Sequence, residues 1–170
     1  MGAKGEILMI VLGIDPGTRI TGYGIAKKEG NKISLLDYGF LRLGATAELP
    51  VRIGVFHRFF TEKIIKLGVT DIALETPFLG KNAQNFLKLG YLRGVSYLLA
   101  DTHTLALHEF GPRQVKQTLT GFGGAEKEQV ARVLLRLFPG MKFPEKFDVT
   151  DAIAVTLCGV WQQQGVNWRV

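Results

Sequence analysis

Residues 7–15, ILMIVLGID, are apolar at nearly every position until the run ends on Asp15. A strand with one solvated face alternates apolar and polar side chains, whereas a strand without alternation is covered on both faces. This segment therefore demands a sheet with a layer above and a layer below it, and a place inside that sheet. The chain has 170 residues, enough for one domain over residues 1–170 whose core needs neither disulfide nor structural metal. The single cysteine, Cys158, lies in an apolar helical pattern and reads as a core residue. One thiol excludes an internal disulfide framework and a zinc knuckle.

The order of the remaining segments narrows the architecture. Residues 21–28 and 32–43 read as two strands joined by the polar turn KKEGNK, with Gly30 and Asn31 suited to a hairpin. The first three strands then form an antiparallel meander. From Pro50 to Leu67 the period changes, with Ile53, Phe56, Phe60, Ile64 and Leu67 recurring every three or four residues before Gly68 ends a helix. TDIALETPF is a short buried strand, residues 81–100 a helix, and TLALHEF a fifth strand. GPRQVKQTLTG, with Pro112 near its first turn, GGAEKEQVARVLLRLFPG and residues 148–163 supply three more helices. The order βββαβαβ followed by helices predicts an α/β fold. Its five-stranded mixed sheet has three antiparallel strands and two strands parallel to the first, with helices on both faces.

Most of the fifteen acidic residues fall in turns or on polar helix faces. Four break that pattern. Asp15 ends the first strand, Glu75 ends the fourth, and Asp148 and Asp151 stand three apart at the start of an apolar helix, so they share a face. Taken singly, each has an ordinary reading: a turn residue for Asp15, an N-cap for Asp148, a partner of the helix dipole for Asp151. Taken together with parallel first and fourth strands, they meet outside the carboxyl ends of the strands, where open α/β sheets collect ligands. Carboxylates converging there repel one another, and a divalent cation relieves the repulsion. All-oxygen ligands favour Mg²⁺ or Mn²⁺ over zinc. Two such ions about 3.5–4 Å apart can clamp both oxygens of a phosphodiester displacement.

The net charge of +6 makes a polyanion a candidate partner. Arg113, Lys116, Lys127, Arg132 and Arg136 crowd one stretch, either as a solvated helix face or as a phosphate-binding surface. The second reading is favoured by Gly121, Gly123 and Gly124, which let backbone approach closely ahead of a helix N-terminus, with Lys127 expected three residues into that helix. Phe78 is one of 11 phenylalanines, so the core is its default; in the loop TPFLGKN it could instead stack on an unpaired base. His57, His103 and His108 have no ligand spacing, and His108, near the end of the fifth strand, is the one placed where it could lie near the carboxylates. No stretch approaches the roughly 18 apolar residues of a membrane span. The opening MGAKGEILMI lacks an apolar leader segment, which predicts a cytoplasmic protein.

The segments LGIDPGTRITGYGI, ALETPFLGKNAQNFLKLGYLRGV, GPRQVKQTLTGFGGAEKEQV and DVTDAIAVTLC together resemble the RuvC-type Holliday junction resolvases, in the family's order, from Leu12 to about Cys158. The resemblance implies a ribonuclease H-like fold. It implies a structure-selective, Mg²⁺-dependent endodeoxyribonuclease that resolves four-way junctions by paired nicks in bacterial recombination and repair, leaving 5′-phosphate ends. By position it implies that Asp15, Glu75, Asp148 and Asp151 are the catalytic, metal-holding carboxylates, with two ions per site expected as in the chemistry above. It makes Lys116 and Lys127 basic residues near the cleaved strand and Phe78 an aromatic that probes the crossover; Arg113 is expected to bind DNA as part of the basic stretch above. A homodimer and a branch-migration motor are the implied partners.

Two other classes compete. The DPGT turn also fits the phosphate loop of actin-like ATPases and sugar kinases. Those need two such domains around a nucleotide, and no phosphate loop explains the closing Asp148/Asp151 pair, so no nucleotide cofactor is expected. A non-catalytic DNA-binding module would not need all four carboxylates. The helix over residues 81–100 carries Phe86 and Leu89 on one side and Tyr91 and Leu98 on another, with Gly90 and Gly94 permitting close approach, and is the expected dimer contact.

Overall fold

The computed structural model describes residues 8–77 and 83–162. Its five strands are β1 (Leu8–Asp15), β2 (Ile20–Glu29), β3 (Lys32–Arg42), β4 (Asp71–Glu75) and β5 (Ala106–Phe110). They lie in the order β3-β2-β1-β4-β5, with β1–β2 and β2–β3 antiparallel and β1–β4 and β4–β5 parallel. The central position of β1 accounts for its unbroken apolar run. Ile10, Leu12 and Ile14 enter one core, and Val11 enters a second core on the opposite face.

The first core is closed by α1 (Leu49–Leu67), through Phe56, Phe60 and Ile64, and by α2 (Ala83–Thr102), through Leu92 and Leu99. Gly68 ends α1 in the left-handed region at φ 64°, as its position in the sequence predicts. Lys81, the expected start of α2, lies outside the described residues, and the helix runs two residues past Ala100. Among the described residues, no helix is long and apolar enough to cross a membrane.

The second core is closed by α3 (Pro112–Thr120), α4 (Lys127–Leu137) and α5 (Phe147–Trp161). Two starts differ from the expected ones. Gly121 sits at φ 77° and keeps the glycine-rich stretch out of the helix; α4 opens instead on a reciprocal Glu126/Gln129 capping box. Lys127 is therefore its first residue rather than its third. In α5 the N-cap is Lys146, without a side-chain capping bond, so Asp148 is not the cap but a residue of the first turn.

α5 is buried almost end to end and lies against β1 and β2. Glycines in the strands permit this approach. A Cβ at Gly22 would stand 1.9 Å from the carbonyl oxygen of Asp148, and one at Gly13 would stand 2.1 Å from Thr156 Oγ1. The Thr156 hydroxyl reaches the carbonyl oxygens of Ala152 at 2.7 Å and Gly24 at 3.1 Å, so helix and strand share one polar contact inside the core. Cys158 is buried in this layer, and burial pushes its thiol up to about 11, as an inert core cysteine requires.

Candidate active site

β1 and β4 are parallel neighbours with Ile14 opposite Leu74. One step further along each strand, Asp15 and Glu75 end the pair side by side. Their side chains follow the alternation that puts Val11, Gly13 and Ala73 beneath α5. α5 runs back over these strands from its N-terminus, and its first two turns bring Asp148 and Asp151 toward the same edge. The close approach at Gly22 seats Asp148 on β2. Three separate elements therefore bring the four carboxylates to one sheet edge, within electrostatic reach of Asp15.

The electrostatics follow from that placement. The Asp15 carboxyl is pushed up to about 8, first by burial and then by Asp151, Asp148 and Glu75, with Lys127 acting in the other direction. Glu75 is raised by burial and then by Asp151, against Lys127, Lys116 and Arg93. The Lys127 ammonium donates to Asp151 Oδ2 at 2.7 Å and lies 6.0 Å from the centre of the Phe147 ring. Burial alone would lower its pKa, but the bond to Asp151 and the charges of Asp15 and Asp148 outweigh that and raise it. Lys127 is held charged.

Glu75 lines two openings. One, of about 150 Å³, also borders Asp15, Pro16 and Arg93. The other, of about 200 Å³, lies between α3, α4 and α5 and includes Lys116, Lys127 and Asp151. Both predicted lysines thus face the carboxylates. The rest of the basic stretch is divided by helical geometry. Lys127 lies on the side of α4 that buries Ala131 and Leu134, whereas Arg132 and Arg136 are on its exposed side. Arg113 is exposed at the start of α3. Phe78 lies outside the described residues. His108 is not near the carboxylates: it is buried in mid-β5 with Nε2 2.7 Å from Oδ1 of Asp71, at the opposite end of β4 from Glu75.

Among the described residues, no three His, Cys, Asp or Glu side chains stand close enough to cage an ion. The donor set nevertheless fits a hard divalent cation. It is all oxygen, and Asp15 stays protonated near neutral pH unless positive charge arrives. One feature of the neighbourhood escapes the sequence reading. Arg93 of α2 reaches the backbone of Glu75 from the other side of the sheet. Its signal was an arginine in register with Leu92, Ser96, Leu99 and Ala100 on a buried helical face.

A five-stranded mixed sheet of this order, with acidic side chains at the ends of its two central parallel strands and at the start of a buried helix, defines a protein of the ribonuclease H-like class. The family model of crossover junction endodeoxyribonuclease RuvC matches residues 11–159. The crossover junction endodeoxyribonuclease RuvC of Pelodictyon phaeoclathratiforme is 45% identical over 150 residues, covering 88% of this chain and 78% of that protein. Its counterpart in Legionella pneumophila is 35% identical over 160 residues, covering 94% and 91%. The structure of T. thermophilus RuvC in complex with Holliday junction substrate superposes with a TM-score of 0.81 at 29% identity, covering 88% of this chain and 91% of that one. The chain belongs to the RuvC family of crossover junction endodeoxyribonucleases.

Proposed function

We propose that this chain resolves four-way (Holliday) DNA junctions by paired, divalent-metal-dependent nicks during bacterial recombination and repair. The observation that carries the reading is the meeting of Asp15, Glu75, Asp148 and Asp151 at one sheet edge, with Asp15 pushed up to about 8 by burial and its neighbours. These four side chains would hold the metal, taken as two Mg²⁺ with Mn²⁺ as a substitute. When bound, the metal supplies charge neutralisation and Lewis acidity at the scissile phosphate.

The chain's own residues do the rest. Asp15 gives up its proton as positive charge enters the site. Lys127, fixed by Asp151, and Lys116 across the same opening place ammonium groups where charge develops on the phosphate oxygens. Arg113 contacts a backbone phosphate and contributes position rather than sequence reading. Phe78 stacks on an unpaired base at the crossover. Hydrolysis breaks the bond from phosphorus to the 3′ oxygen and leaves 5′-phosphate and 3′-hydroxyl ends.

Two nicks per junction call for two sites, supplied by a homodimer. Supporting this, Leu87, Tyr91 and Leu98 form an exposed stripe on α2, and a Cβ at Gly90 or Gly94 would meet nothing within 4 Å. We place the protein in the cytoplasm as a single domain over residues 1–170, working beside a branch-migration motor. The test is a labelled four-way junction incubated with and without Mg²⁺. Symmetrically paired nicks that require the metal and vanish in Asp15→Asn, with junction binding retained, are expected. Full cutting by Asp15→Asn would refute the site.

A further inference from the structure

Arg93 is a charged residue on the buried face of α2, with 6% of its surface exposed. One guanidinium nitrogen donates to the backbone carbonyl oxygen of Glu75, and the other donates to the Glu109 carboxylate. The second nitrogen also lies 3.1 Å from the Tyr97 hydroxyl, which itself donates to Glu109 at 2.7 Å. A buried arginine with a backbone carbonyl as one partner raises a question. Why does a carbonyl at the end of a central strand need a side-chain donor?

The answer lies in the ladder. Thr76 N–H donates to the Phe110 carbonyl of β5 at 2.8 Å. Successive residues of a strand aim their backbone groups at opposite neighbours, so the Glu75 carbonyl points toward β1. With Ile14 opposite Leu74, the donor that would meet it is the backbone nitrogen of residue 16. Residue 16 is proline and has no N–H. The ladder between β1 and β4 therefore stops at the two carboxylate-bearing residues, and a carbonyl there is left without its strand partner.

The geometry points to Arg93 as a positioning residue for the carboxylate site: its guanidinium supplies the donor that Pro16 lacks and ties the end of β4 to Glu109, holding Glu75 in place beside Asp15. The planar guanidinium presents its donors on two separated nitrogens in a fixed fork, whereas a lysine ammonium donates from one compact point and does not span the same two acceptors in this geometry. Pro16 and Arg93 act as a pair. The proline ends the ladder and leaves the opening of about 150 Å³ that Asp15, Glu75 and Arg93 share, and the arginine spans the gap from outside. The inference rests on the proposed nuclease reading only for its catalytic consequence.

The test uses the full chain in three forms: Arg93→Lys, Pro16→Ala, and both together. Amide hydrogen exchange is measured without metal, and single-turnover cleavage and junction affinity are measured with Mg²⁺. In Arg93→Lys, exchange at Glu75 and Thr76 is expected to quicken about tenfold while amides in α5 hold. Cleavage is expected to slow about 10- to 100-fold, as for a small misplacement of a reacting group. Junction affinity should stay within about twofold, since it is mainly phosphate electrostatics. In the double variant the alanine N–H can meet the Glu75 carbonyl, so both defects should shrink relative to Arg93→Lys alone. A role in packing or net charge gives no such rescue. Unchanged exchange and cleavage in Arg93→Lys, or equal defects in Arg93→Lys and the double variant, would overturn the assignment. If Arg93→Lys does not fold, Glu109→Gln is measured instead; a smaller change in the same direction supports the assignment, and no change overturns it. If the wild-type chain cuts no junction, the nuclease reading fails, while the exchange arm still decides the role of Arg93.

Discussion

At the residue scale, Asp15 sets the behaviour of the site. Its native carboxyl titrates at about 8 against an ordinary value of 3.8, mainly because it is buried. Between those values the folded protein keeps a proton that the unfolded chain has released. The stabilisation linked to that proton is fully present below the unfolded value and is lost as pH rises through the native one. Glu75, also raised, acts with the same sign. Metal-free protein should therefore melt at progressively lower temperature as pH rises from 5 to 8.5, and Asp15→Asn should flatten that slope. Calorimetry in EDTA checks this; an equally steep slope in Asp15→Asn would sink the assignment. Metal affinity should rise with pH up to about 8, because a cation must displace the Asp15 proton. Lys127 gives a second residue-scale prediction. Held at 2.7 Å from Asp151, it should slow cleavage about 100-fold when changed to alanine. Junction affinity should move far less, and a defect cured by excess protein would make Lys127 a binding contact instead.

At the scale of elements, α5 is the part that assembles the site, because it carries two of the four carboxylates and rests on strand glycines. At Gly22 an added methyl group would meet the backbone carbonyl of Asp148 at 1.9 Å, and backbone there has no flexible end to move aside. Gly22→Ala should lower stability by about 1–3 kcal/mol or more through overpacking. It should lower cleavage further than that loss explains, by shifting Asp148 and Asp151 together. A melting curve and a single-turnover rate on the same sample separate the two effects. Normal cleavage by a destabilised Gly22→Ala would show that the seating of α5 does not control the site. The capping box that starts α4 at Lys127 is the other element-level device, since it sets which turn of α4 faces Asp151.

At the scale of the molecule, the proposed homodimer would use the exposed stripe of α2 to bring two sites to one junction. Leu87 and Leu98 are each more than half exposed, although α2 already contributes Leu92 and Leu99 to the core. Leu98→Glu should leave the fold intact and weaken self-association by about 30-fold or more, the effect of burying a charge at an interface centre. Light scattering should then find a folded monomer that makes single nicks without pairing. A wild-type chain that is monomeric at micromolar concentration yet makes simultaneous paired nicks would exclude the dimer.

The sequence by itself determined the order of elements along the chain and the two-sided burial of β1, and it singled out the four carboxylates as candidates. These follow from periodicity and from charges placed where burial is unfavourable, and both are local properties of the chain. The tertiary structure decided matters that depend on what faces what. It moved His108 away from the site by pairing it with Asp71 at the far end of β4. It made Lys146, not Asp148, the cap of α5, and divided Lys127 from Arg132 and Arg136 across the faces of α4. It also joined Arg93 to Glu75 over a gap opened by Pro16, eighteen and seventy-seven residues from Arg93 along the chain. A hydrogen-bond partner is chosen by distance in space after the elements have packed, and helical or strand periodicity carries no record of that choice.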